Sequence, residues 1–302
     1  MSRVFFARGV RGEIVRRMQR QLGFAAANVD GVFGDATFQA LKAFQTAKHL
    51  GATGEVDGDT WQALMGVPVP VVRDRSLGLT CTFEGHDFTL AQGNFDGAGI
   101  TWGIIGFNLG SGSLNQIVLQ IQTSHPNLVQ QAFGAQAQQL LQVLQGTKAQ
   151  QIAFADTVSL GSNKVQLAEP WRSAFRAFGE FPDVQSAQLA LADSGYFQKA
   201  LQTAQDFNLK TELGLALAFD IHVQNGGIKP EARTQIQQQL AQHPIGSEQD
   251  LRVIIANAVA DQASAKFRED VRARKLTVAT GAGTVHGATF VLRNWGLDNL
   301  PA

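Results

Sequence analysis

The chain has no excess of either charge. Its 302 residues carry 25 basic and 25 acidic side chains, which removes the electrostatic argument for a nucleic-acid or anionic-membrane partner. Charged residues are sparse at 17 %, against a usual value of about 25 %. Neutral polar residues, glutamine above all, take their place and suit a surface that meets carbohydrate. A single cysteine, Cys81, excludes a disulfide framework and any multi-cysteine metal site, and is expected to be a small buried core residue. No run of about 18 apolar residues occurs, so no membrane span is expected. The N-terminus lacks the apolar stretch and small-residue cleavage site of a leader, which points to synthesis in the cytoplasm and action elsewhere only if other machinery gives passage. The histidines (His49, His86, His125, His222, His243, His286) show no metal-ligand spacing, and Gly281-Ala-Gly283 does not continue into a dinucleotide fingerprint. No metal or cofactor is expected.

What is present divides the chain. Val67-Pro-Val-Pro70 marks a stiff, extended connector, so a small domain is expected over 1–67, a linker over 68–75 and a larger domain over 76–302. In the small domain, Ile14, Met18 and Leu22 repeat at helical spacing. Asp35 reads as the cap of a second helix through Phe38, Leu41 and Phe44, and Asp59-Thr-Trp-Gln-Ala-Leu64 as a short third. Leu22, Phe38, Leu41, Phe44 and Leu64 are the expected core. The halves repeat one plan: an Asp-Gly turn, a threonine, then an aromatic helix start (Asp30…Thr37-Phe38; Asp57…Thr60-Trp61).

These residues, with Gly9…Gly12, Val15, Met18-Gln19, Asp30-Gly31-Val-Phe-Gly34, Ala40-Leu41, Phe44-Gln45 and Thr53-Gly54, resemble the three-helix peptidoglycan-binding domain of bacterial and phage cell-wall enzymes. The resemblance runs from residue 3 to 66 and implies bacterial peptidoglycan as partner. It leaves the contacting residues open. The Asp30–Thr37 loop is the expected wall contact, through Asp30, Phe33, Asp35 and Thr37.

The larger domain reads as mainly α. Ser113–Gln122, Gln136–Leu144 and Phe197–Phe207 have amphipathic spacing, and Leu213–Val223 is apolar nearly all round, as a central buried helix would be. Between Glu84 and Asn108, glycines alternate with β-branched and aromatic residues, which predicts a compact hairpin-like region. Two carboxyls flank it. Glu84 should end an apolar helix beside Phe83, where desolvation favours a protonated acid, whereas Asp96 lies in a wet glycine-rich loop that favours the carboxylate. Glycosidic cleavage uses that division of roles.

The words Asp96-Gly-Ala-Gly-Ile-Thr101 and Gly103-Ile-Ile-Gly-Phe107 are similar to the catalytic loop of the chitosanase-type glycoside hydrolases, in the lysozyme superfamily. The resemblance implies Glu84 as general acid, Asp96 as the base of an inverting mechanism and Thr101 as a holder of the attacking water. Trp102 and Asn108 would line the substrate groove. Phe219-Asp220-Ile-His222-Val-Gln224 is similar to a later helix of that fold; Asp220, His222 and Gln224 are candidates either for substrate contact or for a polar core network. His286 is either part of a cleft-closing loop or a turn residue. Trp171 and Trp295 could stack on sugars or pack the core.

Ala98 stands where chitosanases carry an arginine, and the Glu-to-Asp interval is short. Both departures, with Gly93-Asn-Phe-Asp-Gly97, look more like muramidase-like domains of phage lysins and secreted antibacterial effectors. The expectation is a monomeric muramidase acting at the cell wall, with a holin, or a secretion machine and an immunity protein, as implied partners. A chitosanase or chitinase, a lytic transglycosylase and a non-catalytic wall binder are the alternatives.

Overall fold

A computed structural model describes residues 2–85, 87–242 and 245–302; His86 and His243 lie outside them. The chain forms two compact units, Met1–Phe83 with Tyr196–Ala302, and Glu84–Gly195. Helices dominate both, and among the described residues none is long and apolar enough to cross a membrane.

The first unit opens with strand β1 (Val4–Phe6), antiparallel to β2 (Val56–Asp57), and helices α1 (Glu13–Gln21), α2 (Asp35–Ala47) and α3 (Gly58–Met65). The buried face of α1 is Val15, Met18 and Gln19; of the expected Ile14–Met18–Leu22 stripe only Met18 is fully buried. Phe6, Val10, Phe33, Leu41, Val56, Trp61 and Leu64 fill it, while Leu22, Phe38 and Phe44 are only half-buried. Gly34, not Asp35, caps α2, and Asp57 caps α3 by accepting from the Thr60 amide at 2.9 Å.

The repeated plan has a physical basis that the turn signals alone did not reveal. Buried Gln19 accepts from Gly31 N (2.9 Å) and donates to Asp30 (2.7 Å) and Thr37 Oγ1 (3.0 Å). Buried Gln45 accepts from Gly54 N (2.8 Å) and donates to Glu55 O (2.8 Å) and Thr60 Oγ1 (3.1 Å). Each amide satisfies the backbone of one turn and pins it to the following helix.

Half of the expected linker, 72–75, is helix. Pro68 and Pro70 are followed directly by α4 (Val72–Glu84). The small domain is also built into its unit rather than strung from it. Ala7 N donates to Asn294 O (3.1 Å), and Asn294 Nδ2 to Arg8 O (2.9 Å). Buried Glu212, at the start of α12 (Glu212–Asn225), accepts from Arg3 on one side and Arg75 of α4 on the other. Arg3 and Arg75 both reach Gly296 O, at 2.7 and 3.0 Å. Thr82, near the end of α4, donates to Arg11 O at 3.3 Å. Deleting residues 2–67 therefore uncovers the 292–296 turn and removes one cation from a buried carboxylate. We expect the remainder to melt at least about 5 °C lower in a thermal scan, since about 2–4 °C corresponds to 1 kcal/mol at this size. An unchanged melting temperature would show the module to be detachable.

The rest of the first unit comprises α11 (Gln198–Asp206), α12, α13 (Pro230–Gln242), α14 (Glu248–Asp261), α15 (Arg268–Thr280) and the hairpin β8–β9 (Ala282–Val285, Ala288–Val291). Helix α12 is buried over Glu212–Ile221, as its apolar circumference requires.

The second unit starts at the last residue of α4. It holds a three-stranded antiparallel sheet, β3 (Ala91–Gln92), β4 (Thr101–Trp102) and β5 (Phe107–Asn108). Around it pack α5 (Ser113–Ser124), α6 (Pro126–Phe133), α7 (Ala137–Gln145) and α8 (Lys148–Val158), the short pair β6–β7 (Ser159–Leu160, Gln166–Leu167), α9 (Trp171–Glu180) and α10 (Pro182–Ala192). Phe133, Trp171, Phe175, Phe178 and Trp102 form its aromatic core.

Candidate active site

Helix α4 delivers Glu84 as its final residue, half-buried, directly after fully buried Phe83. The segment 85–90 then leads into β3, so acid and sheet are close in sequence. Asp87 shapes this segment by accepting from Thr89 N and Leu90 N, each at 2.8 Å.

The sheet positions the other candidates. Thr101 pairs with Gln92 on one side and Asn108 on the other. The loop from β3 to β4 carries Asp96, which is exposed and whose carboxylate accepts from Ala98 N at 2.9 Å. Gly97 and Gly99 take φ of 85° and 86°, the left-handed region that admits glycine at little cost, so the Asp-Gly-x-Gly pattern sets the turn that offers Asp96 to solvent. Thr101 is buried, and its Oγ1 has no hydrogen-bond partner among the described residues. Buried hydroxyls nearly always have one, and this one, at the end of the Asp96 loop, is buried without it. Asn108 is half-buried and caps the next turn, its Oδ1 accepting from Ser111 N at 2.9 Å. Glu84, Asp96 and Thr101 all belong to one compact unit.

The family model for Glycosyl hydrolase family 46 matches residues 82–250, more than half of the chain. The chain belongs to glycosyl hydrolase family 46. This family 46 enzyme is a glycoside hydrolase with a lysozyme-like fold, and a peptidoglycan binding domain model matches residues 11–64. Among solved structures it is similar to chitosanase OU01 in complex with substrate, with a TM-score of 0.51 at 20 % identity, over 74 % of this chain and 97 % of that one. A chitosanase of Gynuella sunshinyii in complex with chitotetraose gives 0.48 at 16 %, over 74 % and 98 %. The native chitosanase of Bacillus subtilis MY002 gives 0.48 at 20 %, over 70 % and 85 %. No curated protein matches the chain.

Several expected contacts of this family 46 hydrolase are corrected by burial. Trp102 is wholly buried, its indole N–H donating to Phe175 O at 3.0 Å and its ring stacked on Phe178; no face is open to a sugar. Trp171 and Trp295 are core residues too. Asp220 is 1 % exposed and is gripped by Arg274, Lys275 and the Thr80 hydroxyl. Burial works against its ionisation, but the two cations outweigh it and hold its carboxyl well below the usual range. It is a core network residue. In the wall-binding module, Phe33 and Thr37 are each 1 % exposed; Thr37 donates to Val32 O at 3.0 Å and holds the loop from within. Asp30 and Asp35 remain on the surface, Asp35 paired with Arg8 at 2.8 Å.

Other candidates keep partial exposure. His222 Nε2 lies 2.8 Å from Thr203 Oγ1, and burial, then Lys199 and Arg233, depress its pKa. Gln224 and its neighbour Asn225 each bury an amide oxygen without a partner among the described residues. His286 is the first turn residue of the β8–β9 hairpin, with φ 50°, its Nε2 3.0 Å from Asp270. Cys81 is half-buried rather than a core residue.

The sequence reading missed Asn94 and Gln188. Gln188, fully buried on α10, accepts from Ile104 N (3.0 Å) and donates to Phe88 O (3.0 Å), joining the loop after Glu84 to the loop after Thr101. Nothing in its local sequence marks it. Asn94 was visible inside the Gly93–Gly97 motif, but its role depends on α8, which lies more than fifty residues further on.

Proposed function

We propose that this hydrolase cuts the β-1,4 bond between N-acetylmuramic acid and N-acetylglucosamine in peptidoglycan. Glu84 protonates the leaving oxygen, and Asp96 with Thr101 orients and activates water on the opposite face of the sugar. The observation that carries the reading is the peptidoglycan binding domain fastened into the same compact unit as the enzyme's C-terminal helices. Wall binding in the same chain raises the local concentration of glycan. The Thr101 hydroxyl, without a partner among the described residues and at the end of the Asp96 loop, is the group this reading assigns to the water. A lysin or effector acting at the wall, with release or immunity partners, is the setting such an enzyme would have.

Chitosan hydrolysis is the second reading, favoured by the family match and by charge. The second unit holds eight carboxylates against four cations, which would attract a polycationic glycan. Ala98, at the place of the chitosanase arginine, speaks for the first reading.

One experiment separates them. Purified walls should lose turbidity with the full chain, the new reducing ends should be N-acetylmuramic acid, and chitosan should be cut at least about tenfold more slowly, the scale of discrimination one or two contacts supply. The first anomer released should be inverted, as for carboxyls about 6.5–9.5 Å apart. Rapid chitosan cleavage with intact walls would overturn the first reading. A retained anomer would remove Asp96 as base, and anhydro ends would make the enzyme a transglycosylase.

A further inference from the structure

We propose that Asn94 is a positioning residue for the reaction, locking the 94–99 loop into the shape that presents Asp96 and anchoring that loop to Asp156 of α8. The proposal rests on the reading of Asp96 as the base.

Asp96 is exposed, and the one contact described for its carboxylate is the Ala98 amide inside its own turn. Its place in space is therefore inherited from the loop. Asn94, 7 % exposed, makes its described hydrogen bonds to that loop and its support. Its Oδ1 accepts from Gly99 N at 2.8 Å, closing the loop from end to end. Its Nδ2 donates to Asp156 Oδ1 at 2.8 Å, and its backbone N–H donates to Ser159 Oγ at 2.8 Å. Ser159 in turn donates to Ala155 O at 2.6 Å, so the support is the end of α8 itself. Lys164 pairs with the same Asp156 oxygen. The preceding residue must be glycine: a Cβ at Gly93 would sit 2.5 Å from Lys164 O and 2.5 Å from Ser159 Oγ, while Gly93 N donates to Val165 O at 2.9 Å. At the far end Gly110 N donates to Ala98 O at 2.8 Å.

Asn94 is almost wholly buried, and both ends of its amide are engaged within the protein. Its effect on the reaction runs through the placement of Asp96, where an error of about 1 Å can cost on the order of 100-fold in rate. The arrangement also has a polarity that can be reversed. An amide at 94 donates to a carboxylate at 156; a carboxylate at 94 could instead accept from both Gly99 N and an amide at 156.

The test uses the full chain and either glycan strands of peptidoglycan or chitosan oligomers, whichever the unaltered enzyme cuts, assayed well below each variant's melting temperature. Asn94→Ala and Asn94→Asp should each lose about 10–100-fold in kcat with KM within about threefold, the signature of misplacement rather than lost substrate binding. Asp156→Asn alone keeps an acceptor oxygen and should stay within about fivefold. The exchange Asn94→Asp with Asp156→Asn should recover at least about tenfold in kcat over Asn94→Asp, a coupling that independent sites would not show.

Unchanged kcat for Asn94→Ala, a loss confined to KM or to melting temperature, or no recovery in the exchange would each overturn the proposal. Asp96→Asn is run alongside. If Asp96→Asn is inactive and Asn94→Ala is not impaired, the clamp fails and the base assignment stands. If Asp96→Asn keeps full activity, both fall together.

Discussion

Glu84→Gln is expected to lose about 10²–10⁴-fold in glycan cleavage, the range a positioned proton donor contributes. Glutamine keeps the size and a hydrogen-bonding end but has no proton to give to the leaving oxygen. Helix α4 ends at this residue with Phe83 buried beneath it, so the fold should tolerate the change. Binding to walls should persist, because the peptidoglycan binding domain covers residues 11–64. A pull-down on walls, a melting curve and a reducing-end assay on one preparation separate the three properties. Asp96→Asn should lose less than Glu84→Gln, since Thr101 can still hold water. Wall clearance by Glu84→Gln near the unaltered rate would show that another group is the acid.

The largest effect on stability is expected at Asp220. Asp220→Ala removes a fully buried carboxylate to which Arg274, Lys275 and Thr80 all donate. Breaking a buried ion pair from one side costs about 3–5 kcal/mol, which corresponds to a fall in melting temperature on the order of 10 °C. The effect has a definite pH dependence. The folded carboxyl titrates below its unfolded value, so its contribution is complete above about pH 4, where the unfolded carboxyl is ionised, and fades as the pH falls further. Denaturant unfolding of both proteins should show a constant gap from pH 7 to about pH 5 and a shrinking gap below about pH 4. A gap that is small at pH 7, or that widens in acid, would mean that the network contributes little.

Much of the fold and of the candidate site was legible from the chain. The helical stripe of Leu114, Ile117, Val118 and Ile121 became the buried face of α5, and the apolar circumference of Leu213–Val223 became the central helix α12. The glycine alternation between Glu84 and Asn108 became the three-stranded sheet. These succeeded because period and turn chemistry are local. Roles that depend on distant partners failed. Trp102 reads as a sugar platform and is a core ring, and Phe33 and Thr37 read as wall contacts and are sealed. The 68–75 connector reads as stiff, extended chain, and half of it, 72–75, is the start of α4.

Residue order by itself determined the element types, the two family resemblances and the pairing of a helix-end glutamate with an aspartate in a glycine loop, since each depends on neighbours within about a dozen positions. The tertiary structure alone decided which polar groups face solvent and which serve the core. It buried Asp220 between Arg274 and Lys275, fastened Arg3 and Arg75 to Glu212, and closed Asn94 onto Asp156. Those partners are 54 to 209 positions apart in the chain. An isolated charge or amide carries no sign of whether water or a distant side chain will satisfy it, and only packing makes that choice.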